Sequence, residues 1–281
     1  MTVQSSDISV VLSGGSANLN PNESLGGQPS STPVVSNTLN NLFDDVSPDE
    51  AETGHEDYRC IYFFNDGDSS VYEVEIWISD DYVGGATMEL GVELSDEIQR
   101  ITIADGPVTG GTLTLSFSSR NFQVSYNSDL GAWASDLQTK LRALISDTGE
   151  PLLRDVVVTA QNVGTTIIFD VSFAGRDRYR NQSTITVITN TLTPAVTVSV
   201  ATMQEGAPIN TSAVEIDVET TPPGGVSFFA ASEASPISFP RLEPGDGFPL
   251  WVKRTVSADS DPVERDGFQL RFAAQTLEPA T

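Results

Sequence analysis

Hydrophobic positions along this chain change their period twice. From Asp57 they recur at every second residue, the spacing of a half-buried antiparallel strand. Arg59, Ile61 and Phe63 share one face and Tyr58, Cys60, Tyr62 and Phe64 the other. A turn at Asn65-Asp66-Gly67-Asp68 leads into Tyr72, Val74, Ile76 and Ile78, which alternate with Glu73, Glu75 and Trp77. The pattern predicts a half-buried hairpin and one more strand over 87–94. The same period returns after Ala213, over 214–218, 226–230, 248–256 and 267–273. Neither stretch alone has enough strands to close a sandwich. Together with 8–12 they reach about eight, which is enough.

Between them lies a segment, 97–210, with its own logic. Strands are predicted over 98–103, 112–117 and 122–126, and then the period becomes helical. Leu130, Trp133, Ala134, Leu137, Leu141, Leu144 and Ile145 form one apolar stripe, with Ser128 as N-cap and Gly149-Glu150-Pro151 as terminator. Strands follow over 155–160, 165–173, 184–189 and 196–203. One helix on one face of a small sheet buries that stripe. The predicted fold class is therefore mainly β: an antiparallel β-sandwich built from 57–95 plus 213–281, with an inserted small α+β domain. Residues 1–56 supply an N-terminal strand and an extended arm. Gly and Pro punctuate 13–56 so often that no regular element of useful length fits there. Its apolar island of Leu39, Leu42, Phe43 and Val46 reads either as a helical turn or as an anchor laid on a neighbouring molecule.

Composition narrows the partners. The chain has 281 residues, room for about two domains. It is 38% hydrophobic, and no apolar run reaches the roughly 18 residues of a membrane span. The N-terminus lacks the pattern of a secretion signal. The 39 acidic against 14 basic residues give a formal charge of −25. That field repels phosphate backbones and anionic lipid, so neither nucleic acid nor membrane is an expected partner.

Candidate chemistry is sparse. Triad-type nucleophilic catalysis needs a histidine, and the chain has one, His55, in a polar stretch; the lone Cys60 lies five residues further on and points away from it. No enzyme activity and no cofactor are expected, although acidic pairs for glycoside cleavage are too numerous to sort by counting. No metal is expected. Two oxygen-rich turns, Asp66 and Asp68 with Asn65, and Asp259 and Asp261 with Glu264, offer ligands to a hard cation such as Ca²⁺ but lack EF-hand spacing. Gly106, Gly110 and Gly111 form a hairpin turn, with no lysine-bearing helix after them to make a phosphate loop. Arg176, Arg178 and Arg180, with Tyr179 among them, are the main basic spot. Alternation places all three arginines on one side of an extended segment, to pair with local acids or dock a neighbouring subunit. Trp77, Trp251 and Tyr179 are candidates for stacking on sugars.

Several short strings stand out: Leu12-Ser13-Gly14-Gly15, Asn20-Pro21, Ser24-Leu25-Gly26-Gly27, Leu39-Asn40-Asn41-Leu42-Phe43-Asp44-Asp45-Val46 and Asp57-Tyr58-Arg59-Cys60-Ile61-Tyr62. Near the end come Pro222-Pro223-Gly224-Gly225-Val226-Ser227-Phe228 and Leu250-Trp251-Val252-Lys253-Arg254-Thr255-Val256. Together these strings resemble a family of bacteriophage virion proteins. The insert, from Thr109-Gly110-Gly111-Thr112-Leu113-Thr114-Leu115-Ser116-Phe117 to near Gly175, resembles a repeat module of phage and bacterial surface proteins. Members of the outer family usually carry a short loop where this chain carries the insert. The resemblance implies a virion component and carries over no active site; the preferred reading is a non-enzymatic, oligomeric part of the tail, baseplate, neck or fibre attachment region. It would self-associate and contact other virion proteins through its arm, with Leu39, Leu42 and Phe43, through its sandwich edges, and through Arg176, Arg178 and Arg180. The alternatives are a capsid decoration protein, a carbohydrate- or receptor-binding fibre domain, and a polysaccharide-degrading tail enzyme.

Overall fold

The computed structural model describes residues 7–81, 86–261 and 267–276. The chain divides into two compact units, residues 1–94 with 208–281 and residues 95–207. The first opens with β1 (Ile8–Ser13) and β2 (Pro29–Pro33), passes through helix α1 (Pro48–Thr53), and continues with β3 (His55–Asn65), β4 (Val71–Asp81) and β5 (Ala86–Val92). The second holds β6 (Ile98–Ala104), β7 (Thr112–Phe117), β8 (Arg120–Ser125), helix α2 (Leu130–Arg142), β9 (Val156–Val163), β10 (Thr166–Phe173), β11 (Thr186–Asn190) and β12 (Thr197–Gln204). The chain then returns to the first unit for β13 (Ser227–Phe229), β14 (Ile237–Leu242), β15 (Gly247–Val256) and β16 (Phe268–Gln275).

In the first unit, six strands in the order β13-β5-β15-β3-β1-β2 face a second sheet, β14-β4-β16, and all pairings are antiparallel. Aromatic rings join the two layers. Phe63 of β3 stacks on Phe272 of β16 with centroids 6.2 Å apart, and Phe248 of β15 lies 4.4 Å from Phe239 of β14. This is a β-sandwich. Strand β3 is central and buried on both faces. On its far side Tyr58, Cys60 and Tyr62 form a small second core with Trp251 and Ile216.

The predicted hairpin is not formed, because β3 and β4 belong to different sheets. The cause is Asn65. Its buried amide donates to the carbonyls of Ser69 (3.0 Å) and Leu242 (3.2 Å), and its own Oδ1 accepts from Gly67 N (3.2 Å). Those bonds turn the chain over the sandwich edge. Strand β14 escaped the pattern because Pro240 interrupts it, and Pro is tolerated there since β14 is an edge strand. The predicted strand over 214–218 is absent; Ala213, just before it, bridges to Gly27, and Ile216 within it donates its N–H to Leu25 O (3.0 Å) and is buried. The arm holds more regular structure than expected: β2, a 3₁₀ turn at Pro21–Glu23, and α1, closed by a reciprocal capping box of Ser47 and Glu50.

The second unit contains two antiparallel sheets, β12-β6-β10-β9 and β11-β7-β8, and α2 shares one core with both. The prediction of one sheet under the helix is corrected to two. Trp133 of α2 sits edge-on to Phe169 (5.1 Å) and Tyr126 (5.3 Å), and Phe117 stacks on Phe173 (5.9 Å) across the sheets. The N-cap is Asp129, whose carboxylate accepts from Ala132 N at 3.0 Å, in place of Ser128. The helix ends at Arg142, so Leu144 stays buried while Ile145 is exposed. Gln138 Oε1 accepts from Val158 N (2.9 Å) and Arg142 Nε donates to Val156 O (3.0 Å), which satisfies backbone groups on the outer edge of β9. Among the described residues, no helix is long and apolar enough to cross a membrane.

Candidate functional site: a buried charge network that locks the arm

The strings that stand out in the sequence converge on one locus beside β3. Arg254 of β15 lies directly across from Asp57 of β3, and the pair is bidentate, Nε to Oδ1 at 3.1 Å and Nη2 to Oδ2 at 2.7 Å. Arg254 Nη1 also donates to the backbone carbonyl of Asp44 at 2.7 Å, reaching into the arm. Arg59 is fully buried. It donates to Tyr58 O (3.1 Å), to Asn22 Oδ1 (3.4 Å) and to the carboxylate of Glu219. The Phe43 ring receives both cations, with the guanidinium carbons of Arg254 and Arg59 at 4.8 and 5.5 Å from its centroid. Two guanidiniums thus bind the arm at Asn22 and 43–44, strands β3 and β15, and the return segment at Glu219.

A second knot lies further along β3. Ser24 Oγ donates to Cys60 O (2.8 Å) and accepts from Ser13 N (2.8 Å), and Ser13 Oγ accepts from Gly26 N (2.9 Å). The Tyr62 hydroxyl donates to Gly27 O and accepts from Ala213 N (2.8 Å). Gly26 has φ of 95°, and a Cβ there would lie 1.9 Å from Val214 O, so neither the conformation nor the space admits a side chain.

The electrostatics follow from burial. Desolvation pushes the Asp57 carboxyl up, and the hydrogen bond from Arg254 pulls it back down. Burial pushes the Cys60 thiol far up, so the thiolate that nucleophilic chemistry needs is suppressed. Oxygens of Asp44, Asp57 and Glu219 lie within 4.8 Å of one another, a donor set of the kind a hard cation takes. Here the two guanidiniums engage those oxygens, and the cluster's chemistry is that of a clamp.

The remaining candidates fall elsewhere. Leu42 and Phe43 are buried within this chain, and Leu39 is exposed. Asp66 and Asp68 are exposed, while Asn65 spends its amide on the turn. Asp259 and Asp261 are exposed, and Glu264 lies outside the described residues. Arg176, Arg178 and Arg180 do not share one side of an extended segment. A 3₁₀ turn at Gly175–Asp177 and a left-handed Tyr179 (φ 63°) break the alternation. Arg178 lies over the Tyr179 ring at 4.1 Å and pairs with Asp96 at 3.2 Å. Trp251 is buried and Trp77 half-buried, which removes Trp251 as a sugar platform. His55 opens β3 with Nε2 3.4 Å from Glu50, and Cys60 faces the opposite side of that strand. The network itself had one sequence signal, an arginine at position 59 among the apolar residues of its face; the carboxylates that answer it come from distant segments.

Comparison of the chain with protein-family models, with curated proteins and with solved structures finds no match.

Proposed function

We propose that this chain is a non-enzymatic structural component of a bacteriophage virion, an oligomeric part of the tail, baseplate, neck or fibre attachment region. The observation that carries this reading is the clamp. The strings that resemble virion proteins supply Ser13, Ser24, Gly26, Phe43, Asp44, Asp57, Arg59 and Arg254, and in this fold those residues hold an arm onto a sandwich. A protein whose distinctive residues are spent on pinning chain segments is suited to bearing load. The acidic exterior suits contact with basic neighbours at high local concentration. Quantitative mass spectrometry of gradient-purified particles tests the reading. The chain is expected at a fixed ratio to the other particle proteins and to stay bound after a high-salt wash. Its recovery wholly in the soluble fraction would overturn the assignment.

A further inference from the structure

Charge is divided unequally between the units. Residues 95–207 carry 8 basic and 11 acidic side chains, a net −3, which leaves −22 on the rest of the chain. Copies of this chain that approach through the first unit repel one another. The second unit presents one face without net charge, the outer side of the β12-β6-β10-β9 sheet, opposite the core formed by Ile101, Ile103, Phe169 and Val171. Among the described residues on the outward side of these strands, Arg100 and Asp170 alone are charged. They stand directly across from each other on the two inner strands and pair bidentately, Nε to Oδ1 at 2.7 Å and Nη2 to Oδ2 at 2.9 Å. Around them the face is Thr, Ser, Ala, Gln and aliphatic, with Val157, Val163 and Met203 40 to 56% exposed.

We infer that this sheet face is a self-association surface on which two copies of the chain pack about a two-fold axis. The placement of the charges selects a second copy as the occupant. A two-fold contact is isologous, so a central, neutral Arg–Asp pair is complementary to itself: each Arg100 also meets Asp170 of the partner subunit. A basic partner, suited to the acidic first unit, finds no net charge here. Strand spacing and rise give the face about 450 Å². That is less than the roughly 800 Å² per partner of a standard stable interface, so the contact is weak alone and gains from copies held side by side.

The inference rests on the self-association in the reading above, and its test separates the two. Sedimentation equilibrium of the full chain from about 1 μM to about 1 mM should show a mass rising from the 30.0 kDa monomer toward twice that. Thr102→Glu, which sets a carboxylate on the face while leaving the ion pair intact, should weaken association at least about tenfold with little change in melting temperature. Arg100→Glu and Asp170→Arg should each fail to self-associate, yet a mixture of the two should form a dimer. A chain that stays monomeric at about 1 mM overturns the surface and leaves the virion assignment to the particle assay. Association that Thr102→Glu and the charge variants leave unchanged places the contact elsewhere and overturns this face alone.

Discussion

The residue that concentrates the clamp's energetics is Arg254. Its guanidinium meets a carboxylate that is 1% exposed, so removing it strands a buried charge. Breaking one partner of such a pair costs about 3–5 kcal/mol, far more than the intact pair contributes over an apolar replacement. Arg254→Met is therefore expected to lower stability by about that amount in urea denaturation, whereas Arg254→Met with Asp57→Leu should recover most of the loss. The pH dependence has a definite sign. Burial already pushes the Asp57 carboxyl up, and without Arg254 only the smaller pull of Arg59 and His55 opposes it. Such a group binds its proton more tightly folded than unfolded, so the deficit of Arg254→Met should grow as pH rises from about 4 and shrink below it. In the sequence an arginine at position 59 among apolar residues calls for an acidic partner, but the acid that answers it, Glu219, lies 160 positions away on a return segment outside any strand.

At the scale of elements, local period was legible and pairing was not. The helical stripe predicted α2 to within a few residues, since Trp133, Ala134, Leu137 and Leu141 all face the core. Its start was displaced by one residue, because Ser128 and Asp129 are both good caps and only geometry decides which carboxylate or hydroxyl meets a free N–H. Asp129→Ala should cost about 1 kcal/mol in the second unit and Ser128→Ala a few tenths at most, measured by the shift in its unfolding midpoint. The β3–β4 turn failed for a different reason. Two alternating runs joined by an Asn-Asp-Gly turn satisfy every local hairpin rule, yet Asn65 spends its amide on Leu242, 177 residues on, and the strands part into separate layers. The arginine trio failed likewise, because alternation assumes an extended backbone and the chain there is a 3₁₀ turn.

At the scale of the molecule, the division into units makes the firmest prediction. Every residue of the sandwich layers, the clamp and the Tyr62 knot belongs to the first unit, and the second unit closes its own core. The two ends of the second unit are hydrogen-bonded to each other, Ser95 N to Ala207 O and Ala207 N to Ser95 O, both at 3.1 Å. A pair of that kind holds its Cα atoms about 5.5 Å apart, a gap that two or three glycines span. Replacing residues 96–206 with such a linker, so that Ser95 and Ala207 keep their pairing, should leave a chain that unfolds cooperatively. Closure entropy is not an obstacle, because its cost grows only as the logarithm of loop length and a short linker lowers it. The opposing term is charge. Excision removes 8 basic residues and leaves −22 on a smaller body, so its melting temperature should rise with salt up to a few tenths molar. Circular dichroism melts of the excised chain across that salt range decide the matter: a β-sheet spectrum without a cooperative transition at any salt concentration would mean that the sandwich depends on its insert to fold.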